Sequence, residues 1–164
     1  MSRPSRRWLI GAVLLLTTTL SGCMGESPRP LTDLDRALAL EGSSRAASLG
    51  DGVLALIQGR GGRERVVLID LERQRPLPLP GLNRPDAQPV SVAVDARGDR
   101  LAVVRQRQGS TELVLYRRAF ASTQTIPLMP AGVPRQLAFD PEGRTLAVEV
   151  SRDGIWQIDL VELP

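Results

Sequence analysis

The chain has 164 residues, with 21 basic and 18 acidic side chains, a formal net charge of +3, and no His. The absence of His excludes Ser-His-Asp triads, His metal ligands and imidazole acid–base catalysis. Every basic residue is Arg; three of them and none of the acidic residues precede Cys23, which leaves 18 of each. The basic character is therefore no argument for a nucleic-acid partner.

Residues 1–22 are predicted to be a secretory signal peptide. Three Arg residues lie among the first seven positions, residues 9–16 are apolar apart from one Gly, and a small-residue cleavage site follows. This apolar stretch is too short to span a bilayer as a mature helix. Directly behind it lies Leu20-Ser21-Gly22-Cys23, which resembles the lipobox of bacterial lipoproteins. This resemblance implies cleavage before Cys23 and acylation of that cysteine.

Cys23 is the only cysteine in the chain. A lone thiol in an oxidising compartment is a liability that acylation removes, and the alternative is an ordinary signal peptide followed by an unmodified Cys. We expect residues 23–33 to tether the acylated terminus to a domain at 34–164, on the periplasmic side of a bacterial membrane. Met24 after the acylated cysteine favours the outer membrane if the enterobacterial sorting rule applies.

A repeat of about 45 residues organises the domain. Residues 90–104 (VSVAVDARGDRLAVV) and 135–148 (RQLAFDPEGRTLAV) each hold an apolar strand, an Asp-x-x-Gly turn and a second apolar strand. A degenerate third copy occupies 46–57. Such copies cannot bury their apolar faces alone and are predicted to stack. The turn residues of the three copies are Asp51 and Gly52, Asp95 and Gly98, and Asp140 and Gly143.

The units are predicted to be four-stranded antiparallel blades with boundaries at about 34–88, 89–132 and 133–164, and the last unit is predicted to lack its own edge strand. Polar connectors containing Gly lead to a third strand, at 65–71, 112–118 and 154–160. Leu-rich segments are predicted to be outer edge strands, at 36–42, 75–81 and 125–132. Pro at alternate positions excludes helix in the latter two. Ala and Leu at 33–41 also suit a helix. The same order of Arg, alternating Leu and final Gly in 36–42 and 75–81 favours a strand.

The repeat resembles the WD40-like propeller repeat of the TolB family. The resemblance is carried by FDPEGRTLAV at 139–148 with DGIWQIDL at 153–160, and less closely by VDARGDRLAV at 94–103. It spans about 46–160 and implies an all-β fold of antiparallel β-propeller blades. Such repeats occur in binding proteins, peptidase domains and enzymes alike, so the fold alone does not fix the function. Because the chain has no His and no recognisable catalytic constellation, we expect a non-catalytic interaction module for cell-envelope proteins, such as those of the Tol-Pal system, with no cofactor.

Three units do not complete a propeller, which closes with about four to eight blades. Two chains could pair as a homodimeric six-bladed ring in which each N-terminal edge strand completes the partner's last blade. The same strand could instead close onto its own chain to give an open arc. An irregular β-sandwich is the third arrangement, and an arc or half-propeller is favoured.

The turn Asp residues are expected to accept backbone hydrogen bonds, and no metal site is predicted because no dense carboxylate cluster appears. Tyr116 and Trp156 are predicted to occupy corresponding positions and to pack between blades. Arginines of two connectors are candidate partner contacts, with solvated loops as the alternative: Arg60, Arg63, Arg65, Arg105 and Arg107. A carbohydrate-binding or hydrolytic propeller is the alternative function, but two Trp, one Tyr and two Phe give few sugar platforms.

Overall fold

Each repeat forms one antiparallel sheet, and the three sheets follow one another along the chain. The structure, a computed structural model, describes residues 28–164, of which 32–164 form one unit. The predicted signal peptide, lipobox and Cys23 lie outside the described residues. The prediction of antiparallel blade-like units is confirmed.

Sheet 1 contains β1 (Ser43–Leu49), β2 (Val53–Arg60), β3 (Arg63–Asp70) and β4 (Arg75–Leu77). Sheet 2 contains β5 (Ala87–Val94), β6 (Arg100–Arg107), β7 (Ser110–Arg117) and β8 (Ser122–Ile126), with a 3₁₀ turn at Arg118–Phe120. Sheet 3 contains β9 (Val133–Phe139), β10 (Thr145–Arg152) and β11 (Ile155–Glu162).

Two-residue turns connect the second and third strands of every sheet. Both residues of each turn have positive φ, as type I′ hairpins require: Gly61-Gly62, Gln108-Gly109 and Asp153-Gly154. Identical loop length fixes an identical register in the three sheets. The Leu of the Leu-Ala motif accordingly faces Ile69, Tyr116 or Val161 across the hairpin.

The sheets pack in series through alternate faces of their strands. We call the face turned toward the next sheet the front face and the opposite one the back face. The first core lies between the front of sheet 1 (Ala55, Ile57, Val66, Leu68) and the back of sheet 2 (Val92, Val94, Leu101, Val103, Val114, Tyr116). The second lies between the front of sheet 2 (Ala102, Val104, Leu113, Leu115) and the back of sheet 3 (Leu146, Val148, Val150).

The segment predicted as the first edge strand is a helix, α1 (Thr32–Glu41). It has Ala at positions where 75–81 has Pro, so it keeps its backbone donors and a high helix propensity. Leu34 of α1 is buried on the back of sheet 1, where it contributes to a third apolar cluster with Leu54, Leu56 and Ile69. The six-bladed ring hypothesis therefore loses the strand on which it depended.

The other two predicted edge segments follow the third strands of their own sheets. β4 lies within the predicted 75–81, whereas β8 ends at Ile126 and leaves most of 125–132 in a loop. Within residues 28–164, sheet 3 has no fourth strand, so β11 is an open edge. No helix in this part of the chain is long and apolar enough to cross a bilayer.

The predicted equivalence of Tyr116 and Trp156 is wrong. Tyr116 pairs with Leu101 near the end of β7 and is fully buried between sheets 1 and 2, where its hydroxyl donates to the carbonyl oxygen of Pro80 (2.9 Å). Trp156 pairs with Ser151 near the start of β11 and is 48% exposed. Tyr116 therefore packs between blades, whereas Trp156 lies at the surface.

Candidate functional site

Backbone hydrogen bonds engage the Asp of both complete repeat turns. Oδ1 of Asp95 accepts the N–H groups of Asp99 (2.9 Å) and Arg100 (3.2 Å), and Oδ1 of Asp140 accepts that of Thr145 (2.8 Å). The bond from Thr145 is the main reason why the pKa of Asp140 lies below its ordinary value. Two glycines with positive φ are part of these turns, Gly98 (71°) and Gly143 (69°).

The repeat turns lie against one another. Asp51 donates its N–H to the carbonyl oxygen of Ala96 (2.6 Å), and the adjacent Gly52 has a φ of 75°. A Cβ on Gly143 would lie 3.0 Å from the Cβ of Asp95, so a larger residue would press the third turn against the second. Within residues 28–164 no group of three or more Asp, Glu, His or Cys is placed to hold a metal ion.

Three of the candidate contact arginines are exposed on the β2–β3 hairpin: Arg60, Arg63 and Arg65. Nη1 of Arg60 lies 3.8 Å from Oε2 of Glu41, and Nη2 of Arg65 donates to Oε1 of Gln58 (3.2 Å). Their involvement in partner binding stays a prediction.

Arg105 is buried, so its interpretation as a surface contact is wrong. It belongs to β6, which extends through the predicted connector as far as Arg107. Nε of Arg105 donates to Oε1 of Glu112 (2.6 Å), and only 8% of its side chain is exposed. Arg107 is half-buried and donates from Nε to Oδ2 of Asp86 (2.8 Å).

The hairpin turns of sheets 1 and 2 border a polar cleft of about 510 Å³, which we call the hairpin cleft. Its lining combines the turn glycines with charged and amide side chains: Arg63, Glu64, Arg84, Asp86, Gln88 and Arg107. Asp86 is held from two sides, because Nε of Arg84 donates to its Oδ1 (2.9 Å) and Nε of Arg107 donates to its Oδ2 (2.8 Å).

Arg45 links sheet 1 to sheet 2 beside this cleft. Its Nε and Nη2 donate to the two carboxylate oxygens of Glu64 (2.8 and 2.6 Å). The same guanidinium donates to the carbonyl oxygens of Val90 (2.7 Å) and Pro89 (2.9 Å), where a β-bulge interrupts the β5–β6 pairing. Bidentate pairing of this kind gives directional as well as electrostatic stabilisation.

These contacts keep the carboxylates of the hairpin cleft ionised. The hydrogen bond from Arg45 lowers the pKa of Glu64, and the hydrogen bonds from Arg84 and Arg107 lower the pKa of Asp86 far below its usual range. Groups with such low pKa values hold no proton to donate near pH 7, and they are weak bases. The cleft is therefore a surface of fixed charges suited to recognition.

A second concavity of about 790 Å³ follows the inner strands of the three sheets, β1, β5 and β9. Arg45, Arg135 and Gln136 supply its longer polar side chains, while Leu49, Val92 and Leu137 supply apolar surface. The corresponding region of a complete propeller is the central channel.

Sequence reasoning missed the ion pairs of the hairpin cleft. Glu64 follows a candidate contact residue, and Arg84 and Asp86 lie two positions apart in the connector between sheets. The alternation of basic and acidic residues was visible, but which of them meet depends on the packing of two sheets. The partners Arg45 and Glu64 are 19 residues apart, and Asp86 and Arg107 are 21 apart.

Comparison with solved structures identifies β-propellers. The chain matches TolB from Acinetobacter baumannii over 71% of its length, with a TM-score of 0.56 and 13% identity; the match covers 29% of that chain. It matches the β-propeller domain of the Trilobed protease from Pyrococcus furiosus over 74% of its length, with a TM-score of 0.54 and 14% identity, covering 42% of that chain.

The chain thus spans less than half the length of either structure. At these identities the likeness shows the fold alone, and the three sheets are blades of a partial β-propeller. Comparisons with protein-family models and with curated proteins gave no match.

Proposed function

We propose that this chain is a lipid-anchored, non-catalytic protein-interaction module of the bacterial cell envelope. The hairpin cleft is the observation that carries the proposal. Its wall is built from side chains held in ion pairs before any partner arrives, including Arg84, Asp86 and Arg107. Charged groups fixed in this way give a partner specificity and orientation at little cost in side-chain entropy.

A catalytic role gains little support from the same groups. The chain has no His, and the pKa values of Glu64 and Asp86 are displaced away from neutrality. Among residues 28–164 the exposed aromatic rings are Trp156 and Phe120, and neither lines the hairpin cleft, so the cleft offers no stacking platform for a sugar. The ion-paired carboxylates and the amide side chains of the cleft are better suited to binding a protein surface.

The location in the envelope rests on the sequence before the described residues. The apolar stretch followed by Leu20-Ser21-Gly22-Cys23 supports export and acylation, and the likeness of the fold to TolB is compatible with the periplasmic side of a membrane. We propose a partner among envelope proteins, Tol-Pal-like components included, and an outer-membrane position if the sorting rule for Met24 applies.

Photo-crosslinking in living cells tests the interaction. A photoreactive amino acid replacing Arg63, exposed at the rim of the hairpin cleft, is expected to trap one protein of defined mass. The matched control replaces Glu72, which is also solvent-exposed but lies in the β3–β4 connection at the opposite end of sheet 1. Equal crosslinking from both positions, or none from position 63, would contradict the proposal.

Labelling with radioactive palmitate tests the anchor. The natural chain is expected to incorporate label and to sediment with membranes, whereas Cys23→Ser is expected to lose both properties. Membrane sedimentation of unlabelled Cys23→Ser would show that another segment holds the protein to the membrane. The crosslinking result does not depend on this outcome, because the hairpin cleft lies in the folded unit.

A further inference from the structure

The front face of sheet 3 has the pattern of a sheet–sheet interface but is uncovered. Leu68 in sheet 1, Leu115 in sheet 2 and Leu160 in sheet 3 each pair with the Ala of the Leu-Ala motif. Leu68 is 0% exposed and Leu115 is 1% exposed, whereas Leu160 is 73% exposed. Ile158, two residues earlier, is exposed for the same reason. Leu160 thus stands where the preceding sheets bury a leucine against the next blade.

We call this surface the open face. Its outward side chains come from all three strands of sheet 3: Val133, Ala147, Glu149, Trp156, Ile158 and Leu160. Four of them are large apolar residues at least 48% exposed. Monomeric proteins rarely expose contiguous apolar patches larger than a few hundred Å², and the largest such patch on a protein is often functional.

Two charges of opposite sign lie on or beside the open face, Glu149 and Arg135. Glu149 stands at the position that Ile57 and Val104 fill in sheets 1 and 2, and its Oε2 is buried with no hydrogen-bond partner among the described residues. The Arg135 guanidinium lies 5.2 Å from the centre of the Trp156 ring. Neither Glu149 nor Arg135 forms an ion pair within residues 28–164.

The other outer surface of the three stacked sheets, the back of sheet 1, is covered. α1 covers the back of sheet 1, and Leu34 is 6% exposed there. A second copy cannot place its open face on this back surface without displacing α1. Residues 32–164 therefore present one uncovered end.

We propose that the open face is the interface of a homodimer, in which two copies pack sheet 3 against sheet 3 about a two-fold axis. The face is self-complementary, because a two-fold arrangement can bring Arg135 of each copy to Glu149 of the other while the apolar side chains meet between them. The pairing uses the one uncovered end of residues 32–164 in each copy and stops at two. It involves a different surface from the hairpin cleft and does not rest on the function proposed for that cleft.

The size of the face predicts a weak dimer. Three strands of seven or eight residues cover roughly 25 by 14 Å, from strand rise and spacing. This footprint of roughly 350 Å² is less than half of the roughly 800 Å² that each partner buries in a standard specific interface, and it lies in the range of weak, transient contacts. We therefore expect dissociation in the micromolar range.

Light scattering and Trp fluorescence test the dimer together on the chain from residue 23 with Cys23→Ser. Trp156 is the only Trp outside the predicted signal peptide, so its emission reports directly on the open face. Between about 1 and 200 μM, chosen around a micromolar dissociation constant, we expect the mass to rise from monomer to dimer. We expect the Trp156 emission to shift to the blue over the same range.

Charge reversal identifies the contacts. Glu149→Arg and Arg135→Glu are each expected to weaken the dimer at least tenfold by placing like charges together, and the double variant is expected to restore it to within about threefold. Far-UV circular dichroism verifies that each variant is folded. Glu72→Arg, on the β3–β4 connection away from the open face, is the matched control and should leave the dimer unchanged.

Three results would overturn the proposal. One is a monomer at about 200 μM with the emission of an exposed indole. Another is a dimer that forms without any change in Trp156 emission or survives Leu160→Arg, since both would place the interface elsewhere. The third is a double variant that fails to recover although both single variants are folded.

Discussion

Truncating the same leucine in each sheet measures how much stability each sheet–sheet contact provides. Leu68, Leu115 and Leu160 have the same register and the same side-chain chemistry. They differ in what covers them: sheet 2 covers Leu68, sheet 3 covers Leu115, and nothing within residues 28–164 covers Leu160. The three Leu→Ala variants therefore form an internal series in which only burial changes.

The magnitudes follow from that burial. Leu→Ala removes the equivalent of three methyl or methylene groups, at about 0.8 kcal/mol each, and the cavity left in a packed core raises the loss to about 3–4 kcal/mol. Leu68→Ala and Leu115→Ala should each lower the free energy of unfolding by this amount. Leu160→Ala should change it by less than about 0.5 kcal/mol in the monomer, as exposed substitutions usually do.

Urea denaturation followed by far-UV circular dichroism measures these differences. The Glu149→Arg background keeps the protein monomeric under the dimer proposal, so the open face is not covered during the measurement. If Leu160→Ala lowered the free energy of unfolding as much as Leu115→Ala does, the reasoning would be refuted, because the folded monomer would then have to bury Leu160. An unchanged midpoint for Leu115→Ala would refute the packing of sheet 2 on sheet 3.

Other contacts give smaller expected changes, each measurable in the same denaturation assay. Asp95→Ala should cost about 2–3 kcal/mol by leaving two turn N–H groups without an acceptor, whereas Asp95→Asn, which keeps the acceptor oxygen, should cost less than half as much. Tyr116→Phe should cost about 1 kcal/mol through the lost bond to Pro80. The Arg152 guanidinium donates to both carboxylate oxygens of Asp159 and lowers the pKa of that group, as Arg45 lowers the pKa of Glu64. The stabilisation from both pairs is therefore complete above the ordinary carboxyl pKa of about 4 and should be lost as pH falls below it.

Local patterns were sufficient to predict the strands of the repeats. The Leu-Ala motif, the Asp-x-x-Gly turn and the Gly-containing connectors are short-range features, and each acts within a hairpin. The structure places hairpins where these patterns occur, with the third strands at 63–70, 110–117 and 155–162. Their stacking could also be expected, because one such sheet has no means of burying its apolar face alone.

Predictions that depended on comparing segments were less successful. The rhythm of 36–42 matched that of 75–81, but Pro76 and Pro78 lack the N–H groups that Ala37 and Ala39 supply to α1. The repeat pattern predicts corresponding positions for Trp156 and Tyr116, but the two-residue hairpins place them at opposite ends of their strands. In both cases the pattern of backbone hydrogen bonds determined the structure, and the spacing of apolar side chains along the sequence did not indicate that pattern.

The hairpin cleft could not be predicted because its ion pairs join elements distant in sequence. Arg105 and Arg107 both lie in the predicted connector, yet Arg105 is buried beside Val66 of sheet 1 and Arg107 lines the hairpin cleft. Because they lie two residues apart on β6, both side chains point to the same face of sheet 2. They differ only in how deep in the interface between sheets 1 and 2 each one lies. Only the packing of sheet 2 on sheet 1 determines that depth.

The role of α1 as a cap can be tested by removing its anchor. Leu34→Asp replaces the one buried side chain of α1 with a charge, and a helix of ten residues has little stability without tertiary contacts. The back of sheet 1 would then expose Leu54, Leu56 and Ile69, so each copy would have two open ends. Heterologous contacts between unlike ends can propagate, so light scattering should show species larger than a dimer at about 200 μM. If the variant remains folded and no larger than the parent protein, α1 does not limit assembly.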